Sequence, residues 1–285
     1  MELGIEDFAV FCKKKGFVYS SSEIYGGLSG FWDFGPLGVE LFNNLKRHWW
    51  DFFVRSREDL VGMDGSIISH PRVWKASGHL ASFGDVMLSC SKCKHQLRAD
   101  HFLEEQLGKN VEGLAVAELE ALIKQHKLVC PKCKGTFAKL ASFNLLFSTQ
   151  VGADASQRST AYLRGETAQG MFTNFKLIAE TTRQKLPFGV AQIGTCFRNE
   201  IAPRDFLFRS REFTIAEFEY FLHPDTVSCA LLQKSSLGMK LLLLDRDSQK
   251  KKTKKAASTT IGSMLKGQLL GEWHAYWLSE QIRWF

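Results

Sequence analysis

The sequence predicts an α+β fold in which an antiparallel sheet is flanked by helices and interrupted by an insertion. Three observations carry this reading. Phe188–Phe197 and Glu212–Leu222 are apolar runs of strand length on either side of a short polar turn, Pro203 to Ser210, the pattern of a hairpin. Leu37, Leu41, Leu45, Trp49 and Phe52 or Phe53 recur about every fourth residue after Pro36, which marks one face of a long helix with proline in its first turn. Two C-x-x-C pairs, Cys90/Cys93 and Cys130/Cys133, bound a separate stretch. The chain's 23 phenylalanines suit thick packing between a sheet and helices.

The elements follow in order. Residues 5 to 15 read as a short helix that ends near Gly16, and the Gly-, Ser- and aromatic-rich residues 19 to 36 as a loop or irregular strand. After the helix from Pro36, Leu60, Val61 and Met63 give a strand, and Gly65 turns the chain into Ile67-Ile68. Within the cysteine-bounded insertion, Leu114, Leu119, Leu122 and Ile123 have helical spacing. Apolar runs return at Phe143–Phe147 and Ala161–Leu163. A helix from Thr167 to about Arg183 is expected to turn Met171, Phe172, Phe175 and Ile178 inward. On the strand from Glu212, the residues Phe213, Ile215, Glu217, Glu219 and Phe221 share one face, which reads as a polar pocket or as a sheet edge. After Asp225 the pattern degrades, and order is expected to resume only in a helix over Trp273 to Phe285. The boundaries are therefore 1–89, an insertion over 90–133, 134–225, and a divergent segment over 226–285.

Composition narrows the class. A formal charge of +7 and a pI near 9.0 allow an anionic partner. Lys250, Lys251, Lys252, Lys254 and Lys255 form one run, read as a solvated loop rather than a specific nucleic-acid contact. No stretch has the length of a membrane span and no apolar signal core opens the chain. Four of seven cysteines in two tight pairs fit a reducing compartment and a metal better than disulfides, so the protein is expected to be cytoplasmic.

Four thiolates from two C-x-x-C knuckles make the closed tetrahedral shell that structural zinc prefers. Pro131 and Gly135 suit the tight turn, and the neighbouring lysines offset the negative cluster. A redox pair or unmetallated thiols are the alternatives. Four sulfurs leave no open coordination position, so this metal takes no part in catalysis. Cys12, Cys196 and Cys229 have no partner by spacing.

The hairpin carries the chemistry. Arg198 and Glu200 at i and i+2 on a strand would face the same way, and Arg211 with Phe213 would return on the partner strand. Guanidinium groups grip phosphates, an aromatic face stacks on a base, and a carboxylate takes a base amino proton. An ordinary hairpin with solvated ion pairs is the plainer alternative.

Phe197-Arg198-Asn199-Glu200, the loop and Arg211-Glu212-Phe213 resemble motif 2 of the class II aminoacyl-tRNA synthetases. Other segments resemble glycyl-tRNA synthetase of the dimeric type. They are Tyr25-Gly26-Gly27-Leu28, Asp33-Phe34-Gly35-Pro36-Leu37-Gly38 with the following motif 1-like helix, and Val73-Trp74-Lys75-Ala76-Ser77-Gly78-His79. Arg98-Ala99-Asp100-His101, Glu166-Thr167-Ala168-Gln169-Gly170 and the run from Lys185 to Gly194 complete the set. The resemblance runs from residue 5 to Asp225.

It implies a class II antiparallel sheet, incomplete here, that makes glycyl-adenylate from ATP, Mg2+ and glycine and charges tRNA(Gly), in a homodimer formed through motif 1. Arg198 would hold the α-phosphate, Glu200 the adenine amino group or the tRNA end, Arg211 the outer phosphates, and Phe213 would stack on adenine. The implied ATP contacts are Arg198, Asn199, Glu200, Phe208, Arg209, Ser210, Arg211, Glu212 and Phe213. The implied substrate contacts are Arg98, Glu166, Phe213, Thr214, Ile215, Ala216 and Glu217. Two departures stand out: Gly165 replaces the family's proline, and the glycine-rich motif 3 is absent. The chain therefore reads as an N-terminal portion of such an enzyme. The second reading is a non-catalytic synthetase-like module that binds RNA or a protein partner.

Overall fold

The computed structural model describes residues 4–111, 113–154, 156, 158–203, 205–250 and 255–285. They form two compact units. The first comprises Met1–His48, Val61–Arg183 and Val190–Glu219; the second comprises Trp49–Leu60, Gln184–Gly189 and Tyr220–Phe285.

In the first unit, α1 (Ile5–Lys14) ends where the backbone turns at Gly16 and leads into β1 (Val18–Ser20), which pairs antiparallel with β2 (Trp32–Phe34). α2 (Pro36–Trp50) follows at once. Its first turn lies hard against the chain at Phe17, because a Cβ on Gly38 would stand 1.9 Å from the Phe17 carbonyl oxygen. Only glycine permits that approach. The expected apolar stripe is present but uncovered: Leu37, Leu41 and Leu45 are each more than half exposed.

β3 (Leu60–Gly62) is an outer strand of a three-stranded sheet in the order β11-β10-β3, with β10 (Phe188–Phe197) at its centre and β11 (Glu212–Phe221) on the far side. Burial along β10 is nearly continuous, as its largely apolar sequence suggests. A second sheet, in the order β4-β9-β8, is built from β4 (Ile68–Ser69), β8 (Ser148–Val151) and β9 (Ser159–Leu163). Two short helices, α3 (Pro71–Ala76) and α4 (His79–Ser82), follow β4. The longer α7 (Ala168–Thr182) follows β9 and buries Met171.

A third sheet joins β5 (Gly84–Ser89), β6 (Gln96–Arg98) and β7 (Ala141–Asn144). It packs with α5 (Ala99–Leu107) and α6 (Val116–Gln125) around Leu88, Phe102, Leu103, Leu119 and Ile123. The cysteine-bounded residues thus share a hydrophobic core with the strands on either side.

In the second unit, a π-helical turn at Asp51–Arg55 places Phe53 in the interior, 6.2 Å from the Trp284 ring. Arg57 pairs with Asp59 at 2.9 Å and Glu280 at 3.0 Å and lies over the Trp277 ring. β12 (Lys240–Leu243), α8 (Arg246–Lys250), β13 (Ala257–Thr260), α9 (Ile261–Lys266) and α10 (Glu272–Trp284) complete it.

Four expectations need correction. The strands, expected as one sheet, are distributed over several small sheets in a mixed α+β fold. Phe172 is 45% exposed rather than inward, because a helix buries only the stripe that meets the sheet. The Pro203–Ser210 turn is not merely polar: Phe206 is buried and meets Trp32 edge-on at 4.9 Å. Residues after Asp225 are ordered well before Trp273, with an antiparallel β12–β13 hairpin and α9 capped by the Thr260 hydroxyl. Of the lysine run, Lys251, Lys252 and Lys254 lie outside the described residues.

Candidate functional site

The motif 2 connection is where the structure departs most from a plain hairpin. β10 ends at Phe197, so Arg198 and Glu200 leave the strand and do not share a face. The Glu200 N–H donates to the Arg198 carbonyl at 2.7 Å, a tight bend that sends the two side chains apart. Arg198 lies between the Phe83 and Phe213 rings, 5.3 Å from each, and its Nε donates to the Gly165 carbonyl at 3.2 Å. Glu200 is buried and accepts from Arg209 Nε at 2.8 Å and pairs with Nη2 at 2.7 Å.

Arg209 lies 3.6 Å from Asp85, and Asp85 pairs with Arg98 at 3.2 Å. Arg98 also holds Asp100, with Nε to Oδ1 at 2.8 Å. Two arginines and three carboxylates therefore connect the motif 2 loop to β5 and β6. Burial raises the Asp85 carboxyl above its usual value against the pull of Arg98, and Asp100 and Glu200 add to the rise. Asp85 Oδ2 has no hydrogen-bond partner.

The other motif 2 residues are placed as follows. Arg211 donates to the Glu200 carbonyl through Nε and Nη2, at 3.2 and 2.8 Å, and to the Ser29 carbonyl at 3.0 Å. The Asn199 N–H donates to the Leu145 carbonyl at 2.7 Å. Ser210 is buried, Glu212 and Ala216 are exposed, and Thr214 and Ile215 are half-buried. Phe208 is 84% exposed.

A second group gathers around Glu166. Arg164 is buried; its Nε donates to the Thr195 carbonyl at 2.7 Å and its Nη1 to the Gly65 carbonyl at 2.6 Å. It crosses β10 at Gly194, where any Cβ would lie 2.3 Å from the guanidinium. Two residues on, Glu166 accepts from Gln169 at 2.9 Å and lies 3.3 Å from His79 Nε2. Thr167 donates its N–H to Glu217 at 2.7 Å, and its hydroxyl bonds the same oxygen. Burial, then the charges of Glu217 and Glu166, raise the Glu219 carboxyl. A cleft of about 180 Å3, lined in part by Trp74, Arg164, Glu166 and Gln192, opens here. Arg98 does not line it; the structure puts Arg98 with Arg209 instead. Asp85, His79 and Arg164 were missed in the sequence, although His79 stands in a quoted segment.

The four paired cysteines form the third constellation. Their sulfurs lie within 4.8 Å of one another. The knuckles repeat one geometry: the Lys94 and Lys134 N–H groups donate to the Cys90 and Cys130 carbonyls at 3.1 and 2.9 Å, and both lysines have positive φ, 59° and 58°. The Cys93 N–H pulls the Cys90 thiol down to about 6. Gly135 leaves room for the sulfurs, since a Cβ there would lie 3.2 Å from Cys133 Sγ and 3.3 Å from Cys90 Sγ. This donor set could hold one tetrahedral metal ion. By contrast, burial pushes the isolated Cys196 thiol up to about 12.

With this geometry in hand, comparison with known proteins is specific. The family model for the tRNA synthetase class II core domain (G, H, P, S and T) matches residues 153–235. That stretch holds Arg164, Glu166, Arg198, Glu200, Arg211 and Glu217. Glycine–tRNA ligase of Geobacillus kaustophilus (strain HTA426) is 48% identical over 230 residues, 79% of this chain and 50% of that protein. The chain is homologous to the glycine–tRNA ligases. Glycine–tRNA ligase of Treponema denticola (strain ATCC 35405 / DSM 14222 / CIP 103919 / JCM 8153 / KCTC 15104) is 44% identical, over 79% of this chain and 46% of that protein. The chain thus spans about half the length of the glycine–tRNA ligases it matches.

In this glycine–tRNA ligase homologue the arginine–carboxylate network has a testable electrostatic consequence. Between the ordinary value of 3.8 and its raised value in the fold, Asp85 binds its proton more tightly in the folded than in the unfolded chain. Its contribution to stability therefore falls as pH rises through that window. Asp85→Asn should remove this fall, so that the variant gains on the wild type in urea unfolding as pH rises above 3.8 through that window. A difference that is flat in pH, or slopes the other way, would contradict the buried carboxyl.

Proposed function

We propose that this chain carries the glycine-activation site of a glycine–tRNA ligase. One observation supports it above the rest: Arg198 Nε bonds the Gly165 carbonyl at 3.2 Å. That bond sets a phosphate-binding guanidinium beside Glu166, the carboxylate suited to the substrate ammonium. The two rings flanking Arg198 fix its plane, so it meets the developing charge without reorganising. A glycine carboxylate oxygen attacks the α-phosphorus of ATP, the bond from that phosphorus to the bridging oxygen breaks, and pyrophosphate leaves. The glycyl-adenylate then gives its acyl group to tRNA(Gly). Phe213, already against Arg198, is the proposed adenine platform. Glu217 is the second acid proposed on the ammonium side.

Mg2+ belongs to the nucleotide and neutralises its outer phosphates. Among the described residues, the cysteine cluster is the only group of three or more His, Cys, Asp or Glu arranged to hold a metal. Cys90, Cys93, Cys130 and Cys133 would hold structural zinc, which would tie the turn between β5 and β6 to the segment that precedes β7. The stripe of Leu37, Leu41 and Leu45 on α2 suits a homodimer interface.

The second reading, a synthetase-like module that binds RNA without turnover, is favoured by the internal pairing of Glu200 with Arg209 and of Arg211 with carbonyls. Glycine-dependent ATP–pyrophosphate exchange separates the two. Exchange is expected from the chain, and Arg198→Ala should lower it by about 10²–10³-fold; retention of more than about a tenth of the rate would remove Arg198 from the site. No exchange, with RNA binding that weakens steeply in salt, would favour the module. Protein purified without added zinc should carry about one equivalent, and removing it with a chelator should expose all four thiols. Less than half an equivalent would sink the zinc assignment. Light scattering should give a dimer that Leu41→Glu converts to monomer; a wild-type monomer would refute the interface.

A further inference from the structure

Phe83, the residue that closes α4, is in none of the expected ATP or substrate contacts, yet it lies against Arg198. The guanidinium stands 5.3 Å from the centre of its ring, and the same ring meets His79 at 4.9 Å. Phe213 covers the guanidinium at the same distance, 5.3 Å. A cation within about 6 Å of an aromatic face is attracted by the ring's quadrupole. Two rings thus hold one arginine, and they differ in what anchors them.

Backbone hydrogen bonds fasten the Phe83 side. The Leu145 N–H donates to the Phe83 carbonyl at 3.0 Å, and the Leu145 carbonyl accepts from the Asn199 N–H at 2.7 Å. Leu145 is buried, so one residue just after β7 couples position 83 to the neighbour of Arg198. Gly165 closes the other end. Its carbonyl accepts from Arg198 Nε at 3.2 Å. A Cβ on it would lie 3.1 Å from Phe83 Cε1 and 3.1 Å from Leu146 Cδ2. The bare Cα of Gly165 therefore lets the Phe83 ring and the Arg198 guanidinium approach the same residue.

The two rings divide the work once a nucleotide is bound. On the proposed function Phe213 offers a face to adenine, so its position answers to the base. Phe83 is held instead by His79, Gly165 and Leu145. We propose that Phe83 is the positioning residue for Arg198: its ring face and the Gly165 carbonyl fix the guanidinium at the α-phosphate before ATP arrives and throughout the displacement. This rests on the glycine-activation reading and adds to it a residue that acts only through Arg198. A guanidinium fixed in advance stabilises the developing charge without reorganising, so losing its support lowers kcat more than it changes KM.

The test separates the ring's electronics from its packing. Trifluorophenylalanine placed at position 83 of the full chain keeps the ring's shape and removes most of its negative face, whereas Phe83→Leu removes the ring. In glycine-dependent ATP–pyrophosphate exchange, Phe83→Leu should lower kcat at least ~10-fold and the trifluoro ring at least ~3-fold, with the KM for ATP and for glycine each within ~3-fold. The Arg198 Nε–H resonance, identified by its loss in Arg198→Lys, should move toward the position of a free arginine in Phe83→Leu. The trifluoro ring carries the test should Phe83→Leu fail to fold. Loss of exchange in Arg198→Ala, with kcat unchanged in Phe83→Leu, overturns this proposal and leaves the glycine-activation reading standing. A full rate with the trifluoro ring beside a fallen rate in Phe83→Leu also overturns it, and assigns Phe83 to packing. No exchange from the unaltered chain counts against the glycine-activation reading. The Arg198 resonance then decides the positioning: one that moves with the changes at position 83 supports it, and one that stays fixed overturns it.

Discussion

The buried guanidinium of Arg164 is the constraint on which the rest of the site depends. It has no carboxylate within ion-pair distance among the described contacts and is satisfied by the carbonyls of Thr195 and Gly65. Its own N–H donates to the Ile67 carbonyl at 2.9 Å, and its carbonyl accepts from the Phe197 N–H at 2.8 Å. One residue therefore fastens the end of β9 to the end of β10 and to the turn before β4. A buried charge persists only when its donors find acceptors such as these. The next three residues inherit the rigidity: Gly165 holds Arg198, Glu166 holds His79 and Gln169, and Thr167 holds Glu217. Glycine in place of the family's proline at position 165 loosens less than its intrinsic freedom suggests, because both neighbours are pinned.

Charge is then sorted by sign. Glu217 and Glu166 lie close enough for each to raise the Glu219 carboxyl, with burial as the largest cause. Such a cluster is short of positive charge, and the ammonium of the proposed substrate would relieve it. Cys196, in the field of Arg164, Arg198 and the same acids, is kept a neutral thiol by burial.

How much of this could be read from the sequence depended on whether local pattern or distant pairing decided the outcome. β10 matches its expected bounds, β11 ends one residue early, and α7 runs between Thr167 and Arg183 as its periodicity required. Aromatic and β-branched residues spread along β10 and β11 favour the strand, and apolar residues at helical spacing mark α7. The failures are tertiary. Arg198 and Glu200 look like a same-face pair only if the strand continues, and the Asn199 N–H is instead captured by Leu145, far away in sequence. Asp85 carries no local mark at all, since its importance comes from arginines at positions 98 and 209. The order after Asp225 was hidden because a run of leucines and a run of lysines look like low complexity, whereas β12 pairs with β13 across that stretch.

The state of the motif 2 loop follows from the same network. Glu200 is neutralised by Arg209, and Arg209 leans toward Asp85 on β5, the strand that runs directly into Cys90. On the proposed function, nucleotide phosphates compete with two carboxylates for Arg209, and freeing Glu200 for the base is part of the same exchange. The pairs are about a fifth or less exposed, so the exchange trades one desolvated pair for another rather than drawing an arginine out of water.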